Sequence, residues 1–236
     1  MHSWISLSLN DVRNVLRDRL LVSILFVPFI LLLFVRGVMP LVLEQYPEVG
    51  DYQHIICMLA AAQIPTTMGL IASFVMLDEK DEQLFQVLRS LPVSAYRFLA
   101  FRLGWVSLFT FLGACLFLAY SGLMVLSTGQ ILQAASLYAL LSVLLTLFIV
   151  TYTDNKVAGL AVFKGLNIAL YLPVLPWFWD QSWLNVLAVL PTYWPFRVLG
   201  QIHDGQNSLL SFGVGMLIIG AIILLLLQQF RKRAFN

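Results

Sequence analysis

The chain has 236 residues, 60% of them hydrophobic and only 11% charged, with a formal net charge of +2. Its mean hydropathy of +0.88 excludes an ordinary soluble domain, which could not hydrate so much apolar surface. No basic stripe interleaved with aromatics occurs, which excludes a nucleic-acid partner.

A helix crossing a bilayer takes ~20 mostly apolar residues, and six segments qualify. Ahead of the first lies "SLNDVRNVLRDRLL", in which Leu9, Val12, Leu16 and Leu20 share one stripe while Arg13 and Arg17 lie on the polar side. That pattern predicts an interfacial amphipathic helix over residues 1–19. The segment lacks the basic-then-apolar order of a cleaved signal, so the first span is expected to stay in place. The first span is expected over Leu20–Leu41 and the second over Ile55–Met76.

The chain's most polar stretch follows, "LDEKDEQLFQVLRSLPVSAYRFLAFRLGW", beginning at Leu77. Asp78 is expected to cap a short helix over 78–92, with Glu79, Asp81 and Glu82 at its positive N-terminal end. Leu84, Phe85 and Leu88 then share one face, and Pro92 stops the helix. Two readings stay open: a helix lying in the lipid headgroups, or a docking knob for a cytoplasmic protein. The clustered acids favour the protein, because anionic lipid repels them.

The third span is expected over Phe98–Leu126 and the fourth over Ile131–Thr151, with "STGQ" as a tight turn between them. The fifth, Val157–Tyr171, carries Lys164 and runs into "PVLPW", where two prolines break the helix. A lysine in hydrocarbon costs about 3 kcal/mol on insertion scales. Either Lys164 snorkels or ties helices together, or it lines a substrate pathway or gate. Residues 176–207 form an apolar outer segment broken by Pro176, Pro191 and Pro195. Within it, Ser182–Leu190 reads as an interfacial loop or as a short helix dipping back into the membrane. The sixth span is expected over Leu209–Phe230.

Charge sets the direction. With the N-terminus inside, the inner side holds Arg13, Arg17, Arg19, Lys80, Arg89, Arg97, Arg102, Lys156, Arg231, Lys232 and Arg233. The outer side holds Arg197, with Arg36 near the outer end of the first span, and the acids Glu44, Glu48, Asp51, Asp180 and Asp204. The positive-inside bias therefore predicts cytoplasmic N- and C-termini in the plasma membrane. Cys57 and Cys115 sit in apolar runs and read as small buried hydrophobes. His2, His54 and His203 read as surface residues at the terminus and the outer loop edges. No G-x-x-x-x-G-K-[ST] loop, H-E-x-x-H or G-x-S-x-G is present, and no acid lies within the six spans to couple transport to protons or sodium.

Four stretches, in this order and spacing, resemble the permease subunits of ABC-2-type transporters: "DVRNVLRDRLLVSILFVPFILLL", "LDEKDEQLFQVLRSLPVSAYRFLAFRLG", "NKVAGLAVFKGLNIALYLP" and "LPTYWPFR". Within that family the chain is similar to the fluoroquinolone-export-like permeases. It departs at "DEKDEQ", where many members have Glu-x-Glu followed by Gly-Thr. The resemblance implies an all-α integral membrane protein of six helices, a single transmembrane domain over residues 1–236. It implies a coupling helix between spans two and three, so that the ATPase-docking role falls on Asp78, Glu79, Glu82, Leu84, Phe85, Leu88 and Pro92. A re-entrant element then falls at roughly Ser182–Tyr193. It further implies pairing with a second permease subunit, and a separate ATPase subunit that carries ATP and Mg while this chain binds no cofactor and catalyses nothing. Generic Leu, Phe and Ala lining suits a small amphipathic or apolar substrate. Two other classes stand beside this one. A lipid-modifying membrane enzyme would turn over lipid without an ATPase, and a passive channel or accessory membrane protein would conduct or act by itself.

Overall fold

Backbone amides find no water in hydrocarbon, so a chain this apolar must satisfy them internally, as helices or as a closed barrel. The computed structural model, which describes residues 18–81, 95–179 and 182–235, is all helix with short connections. The elements are α1 (Arg19–Gln45), α2 (Gln53–Asp81), α3 (Ala95–Tyr120), α4 (Thr128–Tyr152), α5 (Lys156–Tyr171), α6 (Tyr193–His203) and α7 (Leu209–Phe235). Shorter 3-10 helices cover Pro47–Tyr52, Leu172–Trp177 and Ser182–Val189. Among the described residues six helices are long and apolar enough to cross a membrane: α1, α2, α3, α4, α5 with its 3-10 extension, and α7. The protein is thus an all-α, multi-pass membrane protein.

The centre of the bundle is α2 against α4, both largely buried, with the other spans presenting apolar faces outward. α3 and α7 flank α4, α1 and α5 lie on α2, and α6 wedges against α2, α4 and α7. The two central helices approach closely at Gly69, where an added Cβ would stand 2.9 Å from Leu145 Cβ and 3.2 Å from the Ser142 carbonyl oxygen. Thr146 exploits that proximity. Its hydroxyl donates to the Ser142 carbonyl at 2.8 Å and reaches across to the Gly69 carbonyl at 3.3 Å. Small and hydroxylated residues join helices where lipid supplies no hydrophobic drive between them.

The structure moves several boundaries. α2 does not stop at Met76 but runs through Asp81, so Asp78 caps no new helix; it lies in the last turn of the second span. α3 ends at Tyr120 rather than Leu126, because Gly122 takes a left-handed conformation (φ +73°) that breaks the helix. The "STGQ" read as a turn instead starts α4. Ser127 accepts from the Gln130 N–H at 3.4 Å, and Gln130 Oε1 accepts from the Ser127 N–H at 2.8 Å, a reciprocal cap. α1 continues past Leu41 to Gln45, carrying Pro28 and Pro40 within it. In the outer segment, Ser182–Val189 exposes Trp183, Val186 and Val189, and its buried anchor is Leu184. The deeply packed part is α6, where Tyr193, Phe196, Val198, Leu199 and Ile202 are all buried. Pro195 lies in the first turn of α6, where its missing N–H would have no helical partner. Of the interfacial helix expected over 1–19, only Asp18 and Arg19 are among the described residues.

Candidate functional site at the charged end of the bundle

Alternation of the spans brings the start of α1, the end of α2, the start of α3, the α4–α5 link and the end of α7 to one end of the bundle. Their charged residues meet there. Asp78 and Glu79 occupy the last turn of α2, where the helix dipole disfavours anions. Cations from other helices answer them. Lys156 Nζ, at the start of α5, lies 2.8 Å from Asp78 Oδ2 and 3.2 Å from Asp18 Oδ2. Asp18 also accepts from the Leu21 N–H through its other oxygen at 3.4 Å, binding the beginning of α1 into the same knot. One ammonium thereby joins α1, α2 and α5, and it stands 5.9 Å from the Phe74 ring centre as well.

Glu79 pairs with the Arg102 guanidinium of α3, and both side chains are largely withdrawn from solvent, at 17% and 7% exposed. A desolvated pair of this kind is stable only while both partners remain. Lys80 turns to the α4–α5 link, donating to the Thr153 carbonyl at 2.9 Å and pairing with Asp154 Oδ1 at 2.6 Å. The Lys80 ammonium beside Asp154 holds that carboxyl below its ordinary range, chiefly through the hydrogen bond and then through charge. Asn155 caps α5 by accepting from the Ala158 N–H at 2.9 Å. Arg233 of α7 donates to the Thr151 carbonyl at 3.1 Å and lies 4.9 Å from the Tyr152 ring centre. All six spans are therefore fastened at this end, around the two places where the chain leaves and re-enters between α2 and α3.

Asp78 and Glu79 are thus engaged by cations of their own chain. Glu82, Leu84, Phe85, Leu88 and Pro92 lie outside the described residues. Lys164 is elsewhere: eight residues into α5 from Lys156, it stands about 12 Å along the helix. It lies on an exposed stripe that includes Val157 and Ile168. Sequence reading missed the partners Asp18, Arg102, Asp154 and Lys156; the available signal was opposite charge at the same ends of successive spans. It also missed the opposite end, where His54 at the start of α2 stacks on His203 at the end of α6, ring centres 4.0 Å apart. Among the described residues no group of three or more His, Cys, Asp or Glu gathers to hold a metal.

The sequence model of a family described as "Fluoroquinolones export permease protein Rv2686c-like" matches residues 11–227 of this chain. Two relatives from Mycobacterium tuberculosis are similar over nearly their whole length. They are the fluoroquinolones export permease protein MT2760 of strain CDC 1551 / Oshkosh and the fluoroquinolones export permease protein Rv2686c of strain ATCC 25618 / H37Rv. Each is 29% identical over 233 residues, covering 95% of this chain and 92% of the relative.

Proposed function

This chain belongs to the Rv2686c-like fluoroquinolones export permease family, and from that membership we propose that it is the membrane subunit of an ATP-driven exporter of small amphipathic compounds. On this reading it transports and does not catalyse. A separate ABC ATPase carries ATP and Mg, and a second permease subunit completes the pathway. The charged end of the bundle faces the cytoplasm, both termini lie on that side, and the membrane is the plasma membrane.

The observation that carries the proposal is the convergence of α1, α2, α3 and α5 on Lys156, Asp78, Glu79 and Arg102. That knot lies beside the short segment joining α2 to α3. In this proposal the segment is the coupling element, and Leu84, Phe85 and Leu88 with Pro92 seat in the ATPase while Glu82 meets its basic rim. Asp78 and Glu79 begin the same element and pass its displacement to α5 and α3 through their ion pairs. Lys164 then faces the pathway between two permease copies. Its place on an exposed stripe supports this, since an ammonium turned to lipid at that depth costs about 3 kcal/mol. The test is ATP-driven uptake of a fluoroquinolone into inverted vesicles containing the chain with its ATPase. Leu84→Asp with Leu88→Asp should abolish uptake and ATPase co-purification without loss of membrane insertion, and Lys164→Met should lower uptake with the ATPase still bound. Full uptake by the double variant would overturn the docking reading.

A further inference from the structure

At the end of the bundle opposite the charged knot, the second half of α1 leans over the turn after α3 and leaves a cavity of about 280 Å³. Among the described residues its polar lining is Arg36, Gln53 and Ser121, its apolar wall includes Val35, Met39 and Leu43, and no acid lines it. Arg36 donates through Nη1 to the Tyr120 carbonyl at 2.8 Å, closing the last turn of α3. That uses one of the five donors of a guanidinium. Among the described residues Arg36 enters no ion pair. Gly122 adjoins the guanidinium, where an added Cβ would stand in ordinary contact, 3.6 Å from Nη1.

The level of this cation is set by its neighbours. Tyr120 is the last residue of α3 and Gln53 the first of α2, so Arg36 sits where two adjacent spans end. Below it, toward the middle of the bundle, α1 exposes Phe26, Ile30 and Leu33 along one face. A cation at the level of the helix ends, with a continuous apolar stripe beneath it, matches a molecule with an anionic head and long apolar chains.

We propose that the Arg36 cavity binds the phosphate of an anionic phospholipid, whose acyl chains lie along the outward face of α1. The guanidinium offers paired N–H groups to phosphate oxygens, with the Gln53 amide and the Ser121 hydroxyl beside it. The lack of an acid among the described lining residues sets the preference. A phosphatidylglycerol needs only the cation, whereas the ammonium of a zwitterionic headgroup finds no carboxylate there.

The purified full chain in detergent would be titrated with phosphatidylglycerol, phosphatidylcholine and inorganic phosphate, following bound lipid by native mass spectrometry and the thermal midpoint in parallel. Wild type should bind phosphatidylglycerol roughly tenfold tighter than phosphatidylcholine, because the choline ammonium is repelled by the guanidinium with no lining carboxylate to offset it. Arg36→Gln should lose that preference and Arg36→Lys keep part of it. The control Arg197→Gln, at another exposed arginine of the same end, should leave it unchanged. Should Arg36→Gln fail to fold, Met39→Trp fills the cavity with the guanidinium intact and should exclude the lipid. Equal binding of the two lipids by wild type would overturn the proposal, as would an undiminished preference in Arg36→Gln or Met39→Trp. Reproduction of the thermal shift by inorganic phosphate alone would assign the cavity to a free anion and overturn the lipid.

Discussion

Glu79 and Arg102 illustrate how this protein treats charge near a membrane: the carboxylate sits at the wrong end of a helix dipole and is held there by a cation from the next span. Removing either partner takes from the other its opposite charge in this pair. Glu79→Gln or Arg102→Met alone is expected to destabilise the fold by about 3 kcal/mol, while the double variant should lose clearly less than the sum. Denaturant or thermal unfolding in micelles of the four proteins of the cycle would check this, and additivity would mean that the pair contributes nothing. The Lys80–Asp154 pair is different because Asp154 is 92% exposed. Its carboxyl pKa is lowered in the folded state, so the pair's stabilisation is complete above the unfolded pKa of about 4 and is lost as pH falls from there through the lower folded value. Asp154→Asn should therefore lower the thermal midpoint slightly at pH 7, with the deficit vanishing once pH falls below the folded carboxyl's value. A deficit that persisted in acid would assign the effect to something other than this carboxylate.

Along the helices, what could be read in advance was the apolar length of each span; what could not was where each one ends. Leu77–Asp81 look like loop because four consecutive residues are charged, yet the helix continues through them because Lys156, Lys80 and Arg102 find partners across the bundle. Such pairing is long-range information. The end of α3 was different. Gly122 and the Ser127–Gln130 cap were both visible locally, but an unbroken apolar run from Phe98 to Leu126 outweighed them. α6 was hidden for the opposite reason: Pro191 and Pro195 suggest disorder of the helix pattern, whereas Pro195 falls in a first turn that tolerates it. The candidate site was legible in the same proportion. Asp78 and Glu79 stood out by charge, but their partners on α1, α3 and α5 did not. The contact between α2 and α4 gives a test at this level. Gly69→Leu forces a side chain where Leu145 Cβ leaves 2.9 Å, and should cost about 1–3 kcal/mol of stability. An unchanged unfolding midpoint would mean the helices are not packed this closely.

Taken whole, the molecule is a bundle with two unlike ends. One fastens every span with ion pairs and hydrogen bonds; the other carries stacked histidines and an arginine beside a cavity. Membership in an exporter family gives that asymmetry a purpose. Force delivered at the charged end would reach α5 through Lys156 and α3 through Arg102, and the bundle would open at the other. All of this depends on which end meets the cytoplasm, where ATP is. A single Gln83→Cys variant, in a Cys57→Ala, Cys115→Ala background, answers the question with a membrane-impermeant maleimide. The reagent should fail to label intact cells and should label fully after the membrane is permeabilised. Full labelling of intact cells would put the charged end outside and leave the proposed ATP-driven exporter without a place to receive its energy.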